Sequence, residues 1–331
     1  MSDDIQITIK QAQAIVNENI DKSREITRFE EYLQTPHRPG TKSYLIQTQD
    51  NAYILKVAQP SDLSSIPSYG PNSLAVEYSL VTNLRKNTSL PLPTPHALDE
   101  SRSLIGYPYF LFAAPAGRTL ASTRAQLTTR QSLQIDLRIG SYLKQLHEVQ
   151  NDWFGQPRQE HDEIYSWQEA FTSLLEDVLL AAEDKHKTGS LGVTLPMGDV
   201  RRYLSRAIGF YLFDDCEVPS FVWFSGCEDN IFVEVTDPEA EPKITSLAGF
   251  DHALWGDPLL ERLFMDPSAA MLEGYGGTPV IFPRQKTKRI WYTLYMALLV
   301  LVEGDGREGM ESWARQAVET CLKQLKDAAC Y

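Results

Sequence analysis

The spacing of apolar and polar positions predicts a β-rich first part of the chain. Apolar residues recur at helical spacing over Thr8 to Asn19, whose first residue is a suitable N-cap. Two strand-like runs, Ser43 to Gln47 and Ala52 to Val57, flank a short polar turn and predict a β-hairpin. A helix over Leu74 to Leu84 and a strand over Tyr107 to Ala113 follow. These elements indicate a small lobe built on an antiparallel sheet.

Helical spacing dominates from Arg124 onward, with one β segment inside it. The β segment comprises Val218 to Val235 and Lys243 to Phe250. We therefore predict an α+β fold with an N-terminal lobe of residues 1–115, an antiparallel sheet plus one helix, and a larger, mainly helical C-terminal lobe of residues 116–331. The predicted helices of the second lobe are Gln131 to Val149, Trp167 to Glu183, Asp199 to Phe213, Arg289 to Val302 and Met310 to Ala329.

Composition narrows the classes of partner. The 331 residues carry a formal net charge of -13, which argues against a protein that binds nucleic acid through its phosphates. The longest apolar run, Trp291 to Val302, is shorter than the roughly 20 residues of a membrane span. No targeting segment is apparent, so we predict a cytoplasmic protein. The four cysteines lack metal-ligand spacing, and no metal site is predicted from them.

The most informative segment is Phe221 to Val233, FVWFSGCEDNIFV, which predicts a strand, a polar loop and a second strand. It resembles the catalytic loop of the aminoglycoside and choline phosphotransferase family. That loop reads His-Gly-Asp, four variable residues, Asn and an apolar strand. Aligned on Asn230, the family's catalytic Asp falls on Ser225, and its His and Gly fall on Trp223 and Phe224.

A second segment, LAGFDHALWGDP from Leu247 to Pro258, resembles the family's next motif. The metal-binding Asp of that motif falls on Gly249, and its later Glu falls on Asp251, which His252 follows. The continuation to Glu273-Gly274-Tyr275 resembles fungal members of the family. The resemblance therefore extends along the chain and implies a protein-kinase-like, two-lobed fold without the two usual acids.

The resemblance also implies a place for a nucleotide. In kinase-like folds a strand Lys contacts the nucleotide phosphates, and a Glu of the next helix holds that Lys by an ion pair. Lys56 in the run YILKV and Glu77 stand in these places. His147, in GSYLKQLHEV, matches the Leu-His helix of the family, and we expect it to have a structural role.

The replaced residues change the expected chemistry. A Ser hydroxyl at position 225 is not basic at neutral pH, and Gly249 offers no side-chain oxygen to a metal, so ordinary kinase activity should be very weak. Trp223 and Phe224 add large aromatic groups, which favour an apolar ligand. If the strand is regular, Trp223 and Ser225 share one face of it.

Three hypotheses follow for this site. In the first, the scaffold serves a cyclase or isomerase of an apolar metabolite, as in secondary metabolism, and requires no cofactor. Acid or base work would fall to Asp251, His252 or Glu228, with hydrogen bonds from Asn230 or Ser225.

In the second hypothesis the protein is a pseudokinase that binds a nucleotide, a metabolite or a protein partner. In the third it is an ATP- and magnesium-dependent phosphotransferase whose metal ligands are Asp251, Glu228 or Asp229. Lys56 and Glu77 favour nucleotide binding, whereas the two lost acids disfavour phosphoryl transfer. The expected partner is a small molecule, and the sequence leaves the oligomeric state open.

Two other patterns are rejected. Gly304, Gly306 and Gly309 spell GxGxxG, but too little chain follows for a dinucleotide-binding βαβ unit, and a turn between helices is the better interpretation. A triad of Ser225, Asp251 and His252 is disfavoured because side chains of adjacent residues rarely point at each other.

Overall fold

A computed structural model describes residues 5–33, 40–60, 67–157, 163–237, 239–304 and 308–329. Contacts between residues divide the chain into two compact units. The first unit comprises Met1–Ile66, Pro71–Ile135 and Ser225–Asp251, and the second comprises Pro67–Gly70, Asp136–Phe224 and His252–Tyr331. The boundary after residue 115 stays a prediction. The β segment expected in the C-terminal lobe is grouped, from Ser225 onward, with the first unit.

An antiparallel sheet of five strands forms the centre of the first unit. Its order is β1-β2-β3-β5-β4, so that β3 lies in the middle with neighbours on both sides. The register of the strands places Lys56 of β3 opposite Ser43 of β2 on one side and opposite Phe110 of β5 on the other. The strands are β1 (Arg28–Glu31), β2 (Thr41–Gln47), β3 (Ala52–Ala58), β4 (Pro95–Asp99) and β5 (Tyr109–Ala113).

Two helices accompany this sheet. Helix α1 (Ile9–Asn19) begins after Thr8, whose side chain accepts from the backbone N–H of Gln11 while the Gln11 side chain caps Thr8 in return. Its buried face, with Ile15 and Val16, belongs to the same apolar cluster as Ile46 and Val57 of the sheet. Helix α2 (Leu74–Asn87) begins after Ser73, whose side chain caps the N–H of Val76.

A second, three-stranded sheet explains why residues 225–251 group with the first unit. Strand β6 (Arg118–Thr119) pairs with β8 (Ile231–Glu234), which pairs with β9 (Lys243–Leu247). Leu247 at the end of β9 also donates its N–H to the carbonyl of Pro91 at 2.8 Å. Short helix α3 (Leu120–Thr123) follows β6.

The second unit is mainly helical. Helix α4 (Thr129–His147) begins in the first unit and continues into the second. An aromatic core in the second unit includes Trp167, Phe171, Tyr292 and Tyr295. The further helices are α5 (Trp167–Lys187), α6 (Met197–Gly209), α7 (Ala269–Tyr275), α8 (Pro283–Glu303) and α9 (Glu308–Asp327), and strands β7 (Ser220–Val222) and β10 (Leu254–Gly256) pair antiparallel.

The predicted α+β class is confirmed, and the predicted helices and hairpin are present with shifted ends. Strands β1 and β4 were not predicted. The condition under which Trp223 and Ser225 would share a face is not met: β7 ends at Val222, and Phe224 has a φ of +54°, so the alternation of faces breaks there.

The glycine-rich segment after Val302 lies between two helices, as predicted. Helix α8 ends at Glu303, Gly304 follows it and α9 begins at Glu308; Gly306 lies outside the described residues. Cys216, Cys227 and Cys321 are reduced and take part in no disulfide among the described residues, and Cys330 lies outside them. Among the helices of the described ranges, none has the length and apolar character to cross a membrane.

Candidate functional site

The first unit forms the predicted ion pair between strand and helix. Nζ of Lys56 lies 2.6 Å from Oε1 of Glu77, and both side chains are largely buried. Lys56 comes from the central strand β3, and Glu77 lies in the first turn of α2, where the helix dipole favours a carboxylate. Burial leaves the pair little access to water, which strengthens the attraction between the two charges. This part of the site is held in one geometry.

The loop before β8 ends in a single turn of 3-10 helix, Glu228–Asn230. Asn230 is buried, its side-chain Oδ1 accepts from Sγ of Cys227 at 3.0 Å, and its carbonyl accepts from the N–H of Ala248 at 2.9 Å. The Asn230 amide also fills the space beside Gly249. A β-carbon at position 249 would lie 2.4 Å from Nδ2 of Asn230, and the φ of Gly249 is +75°.

This geometry bears on a divalent metal at the family's metal position. The backbone conformation of Gly249 favours glycine, and the Asn230 amide occupies the place where an Asp side chain would start. A carboxylate at 249 would therefore have to displace Asn230. The residues present do not fit a metal ligand at this position.

Ser225 and Asp251 form a buried pair. Oγ of Ser225 donates to Oδ1 of Asp251 at 2.9 Å, and the two residues are 7% and 3% exposed. The backbone around Asp251 is fixed by Asn72, whose N–H donates to the Asp251 carbonyl and whose Nδ2 donates to the carbonyl of Phe250 at 3.1 Å. The sequence pattern did not predict this pair, because Ser225 and Asp251 lie in different motifs.

Glu228, another predicted acid or base, is neutralised by an arginine. Nε of Arg124 donates to Oε1 of Glu228 at 2.8 Å, and Nη2 lies 2.5 Å from the same oxygen. Both side chains are about one-third exposed. Within the described ranges, no three or more His, Cys, Asp or Glu side chains are placed to hold a metal ion together.

In the second unit, Trp223 and Phe224 are buried rather than exposed to solvent. The N–H of Trp223 donates to Oε2 of Glu261 at 3.0 Å, and Trp223 is 1% exposed. The ring of Phe224 packs 5.7 Å from that of Tyr295 and 6.2 Å from that of His252. Phe224 belongs to the aromatic core of this unit. Its role as a wall of a substrate pocket stays a prediction.

His252 has a partner that sequence reasoning missed. Its Nε2 lies 2.8 Å from Oε1 of Glu303, the last residue of α8. Tyr69 belongs to the same unit, and its pKa is raised by burial and by the charges of Glu303 and Asp177. The only sequence signal for Glu303 is that a single acid ends the apolar run of α8. Asp251 and His252 are consecutive in the chain, and each contacts a partner in its own unit.

The expected structural role of His147 agrees with its contacts. Its Nδ1 lies 2.9 Å from the hydroxyl of Tyr275, and its Nε2 lies 3.5 Å from Oε2 of Glu261. The contact with Nε2 is not a hydrogen bond, whereas the fully buried Glu261 does accept from the N–H groups of Trp223 and Arg262. This network holds the backbone of Trp223 in place within the helical unit.

Comparison with known families finds one match. The sequence model described as the phosphotransferase enzyme family matches residues 34–206, which is just over half of the chain. A comparison with curated protein sequences finds no significant match.

Solved structures match over nearly the whole length. A proposed aminoglycoside phosphotransferase from Ralstonia eutropha JMP134 is 13% identical, with 98% of this chain and 100% of that chain covered and a TM-score of 0.61. A proposed fructosamine-3-kinase from Haemophilus somnus 129PT is 15% identical, with 95% and 97% covered and a TM-score of 0.62.

A spectinomycin phosphotransferase, solved with ADP and spectinomycin, is 12% identical, with 99% and 100% covered and a TM-score of 0.51. These likenesses show the protein-kinase-like α+β fold of phosphotransferases, as the sequence resemblance predicts. At such low identity they show the fold alone.

Proposed function

Because the chain belongs to the phosphotransferase enzyme family, we propose that it is a small-molecule enzyme in which proton transfer has replaced phosphoryl transfer. The reaction class is the cyclisation or isomerisation of an apolar metabolite. The observation that carries the proposal is the hydrogen bond from Ser225 to Asp251 at 2.9 Å. Ser225 stands at the family's catalytic Asp, and Asp251 supplies a carboxylate beside it.

In this mechanism Asp251 is the acid and base. Its carboxylate accepts a proton from one atom of the substrate and returns it to another, so that atoms and charge balance without an oxidant or a second substrate. Ser225 is a positioning residue, because its hydroxyl donates to Oδ1 of Asp251 and fixes the orientation of the carboxylate. Burial of the pair excludes water that would compete for the proton.

The surroundings of Gly249 support chemistry without a metal at that position. Phosphoryl transfer in this fold relies on metal ions that neutralise the phosphates, and an Asp usually holds one of them. Here the Asn230 amide fills that place. Proton transfer by Asp251 needs no metal ligand at position 249.

The test is a search for turnover in D2O without ATP. Purified protein is incubated with a panel of apolar metabolites, and mass spectrometry reports product formation or deuterium uptake. Asp251→Asn keeps the shape of the side chain and should lower the rate by about 100-fold to 10,000-fold. Ser225→Ala should lower it less, since it removes only the orienting hydrogen bond.

The matched control is Asp50→Asn, the same change at an exposed residue between β2 and β3, and its rate should equal that of the unmodified protein. A normal rate in Asp251→Asn would remove Asp251 as the acid and base. Turnover that requires magnesium and ATP and releases phosphate or ADP would overturn the proposal as a whole.

A second candidate function, nucleotide binding, is favoured by the ion pair between Lys56 and Glu77. In kinase-like folds this pair orients the Lys toward nucleotide phosphates, and here it is formed at 2.6 Å. A nucleotide bound there would serve as a regulator or a structural ligand. Lys56 would contact its phosphates, and Glu77 would hold the Lys.

Calorimetry with ADP and ATP, each with and without magnesium, tests this candidate. Lys56→Met should weaken binding at least about 10-fold, the usual loss for one charge-assisted contact. Lys42→Met, which breaks the neighbouring pair with Glu31 in the same sheet, is the control and should bind normally. Equal affinity in both variants would exclude a nucleotide at Lys56.

A further inference from the structure

A cavity of about 450 Å³ opens in the second unit between helices α8 and α9. One wall is a stripe of α8 at helical spacing, Lys286, Arg289, Ile290 and Thr293. The facing wall is a stripe of α9 that runs from Trp313 to Gln324, and Phe264 and Met265 close one end. The volume is within the range of small-molecule sites.

This cavity is separate from the pair formed by His252 and Glu303. Glu303, the partner of His252, stands fourteen positions after Arg289 along α8. At about 1.5 Å per residue this is about 21 Å along the helix axis. A ligand in the cavity is therefore distinct from one that contacts His252.

The charges that line the cavity are of one sign. Lys286 and Arg289 are the ionisable cations, and no Asp or Glu of the described residues lines it, although the whole chain has a net charge of -13. Lys286 is exposed and forms no ion pair with any residue in the described ranges. Lys286 therefore has no carboxylate beside it at the cavity surface, and the carboxylates that act on the charge of Arg289, those of Glu261 and Asp257, lie outside the lining.

Arg289 is only partly engaged by the protein. Its Nη1 donates to the carbonyls of Leu259 and Glu261, which fixes the side chain. Its Nε and Nη2 have no hydrogen-bond partner among the described residues. Both atoms retain some exposed surface, because neither is among the fully buried polar atoms that lack a partner. Burial lowers the pKa of Arg289 to about 10, so an anion in contact would relieve the cost of holding the charge there.

The rest of the lining is suited to a flat apolar body. Phe264, Ile290 and Trp313 supply apolar surface, and Thr293 and Gln316 add neutral hydrogen-bonding groups. Cys321 also lines the cavity, but burial raises the pKa of its thiol to about 12, which keeps it protonated and unreactive at neutral pH. The lining favours non-covalent binding.

We propose that this cavity is a second ligand site and that it binds a small aromatic carboxylate, with the carboxylate between Lys286 and Arg289 and the ring against Ile290 and Trp313. Arg289 offers a fixed guanidinium for a two-point contact with a carboxylate. Lys286 adds an unpaired cation one turn earlier on the same helix face.

The probes that test the proposal are indole-3-acetate and its neutral amide, indole-3-acetamide, which have nearly the same shape but differ in charge. Titration calorimetry of the full chain should show saturable binding of the acid and at least 10-fold weaker binding of the amide. Lys286→Glu, at an exposed position, should weaken binding of the acid at least 10-fold. Thr320→Trp, which fills the cavity from an exposed position of α9, should abolish binding of both probes.

Lys323→Glu is the matched control. It makes the same charge change at an exposed α9 residue that does not line the cavity, and its affinity for indole-3-acetate should equal that of the unmodified protein. Equal affinity for acid and amide, or unchanged affinity in Lys286→Glu and Thr320→Trp, would overturn the proposal. The absence of saturable binding would overturn it too.

Discussion

Gly249 and the side-chain amide of Asn230 lie in direct contact, so closely that a β-carbon on Gly249 would stand 2.4 Å from Nδ2 of Asn230. Real β-carbons do not approach another heavy atom to this distance. A side chain at position 249 therefore requires the Asn230 amide to shift.

Gly249→Ala should destabilise the protein through both strain and collision. A non-glycine residue at this φ costs about 1–2 kcal/mol, and the collision with buried Asn230 adds to that. Gly40→Ala isolates the first cost, because Gly40 has the same φ of +75° with open space around it. Urea unfolding should show a larger loss of unfolding free energy for Gly249→Ala than for Gly40→Ala. Equal losses would show that the Asn230 side chain moves aside at no cost.

Gly249→Asp should likewise lower stability and should give no gain in magnesium-dependent release of phosphate from ATP. The added carboxylate would have to displace the Asn230 amide before it could reach a metal. An assay of ATP turnover on this variant beside the unmodified protein checks the expectation. A clear gain in turnover would show that only the acid at 249 is missing.

Lys288 is the centre of a buried charge network, and its loss should be costly. Its Nζ forms ion pairs with Asp257 and Asp215, and Asp257 also accepts from the Tyr292 hydroxyl at 2.8 Å. Burial alone would lower the pKa of Lys288, but the two carboxylates outweigh it and raise the pKa. Lys288→Met should cost about 3–5 kcal/mol in urea unfolding, because it leaves Asp257 buried without its cation.

Two comparisons sharpen this prediction. Lys187→Met breaks ion pairs that lie on the surface with Glu183 and Asp184, and it should give no measurable change. In the background of Asp257→Asn, Lys288→Met should cost less than it does alone, because the two residues are coupled. Additive losses would argue that Lys288 acts through packing instead.

Stability should fall at alkaline pH partly through Tyr275. Burial, with smaller effects from Glu261 and Asp257, raises the pKa of Tyr275 to about 12, whereas an unfolded Tyr titrates near about 10. The unfolded state therefore releases the proton first, and the stabilisation that is complete below about pH 10 is lost between about pH 10 and 12. The slope from this residue is at most about 1.4 kcal/mol per pH unit.

Tyr275→Phe separates this titration from the hydrogen bond to His147. At pH 7 the variant should be about 1 kcal/mol less stable, since only the hydrogen bond is lost. Urea unfolding at pH 7, 10 and 11 should show the gap between the two proteins narrowing as pH rises. Parallel curves would mean that Tyr275 does not contribute to the alkaline loss.

Local patterns predicted the parts of the fold that depend on neighbours in sequence. The strand-like run from Ala52 to Val57 and the helical spacing over Leu74 to Leu84 were sufficient to place β3 and α2, and the family resemblance then predicted the pairing of Lys56 with Glu77. Strand β1 (Arg28–Glu31) was missed because it lies at the edge of the sheet and buries none of its residues fully. Its pattern is that of a polar loop.

The site was predicted less completely, because its contacts join residues far apart in sequence. Nothing local to His252 points to Glu303, and nothing local to Ser225 points to Asp251. The left-handed backbone of Phe224 is likewise imposed by tertiary packing, since an aromatic residue rarely adopts it without support. The family resemblance located the two motifs that contain Ser225 and His252, and only the structure shows which side chains these residues contact.

The first unit is assembled from three separate stretches of chain, of which Ser225–Asp251 returns after most of the second unit has been completed. During synthesis, an N-terminal fragment would still lack strands β8 and β9, so the unit cannot be completed until the ribosome has passed residue 251. For the same reason, no single contiguous gene segment encodes it. Recombination between relatives could exchange this unit only together with the helical residues encoded between its pieces.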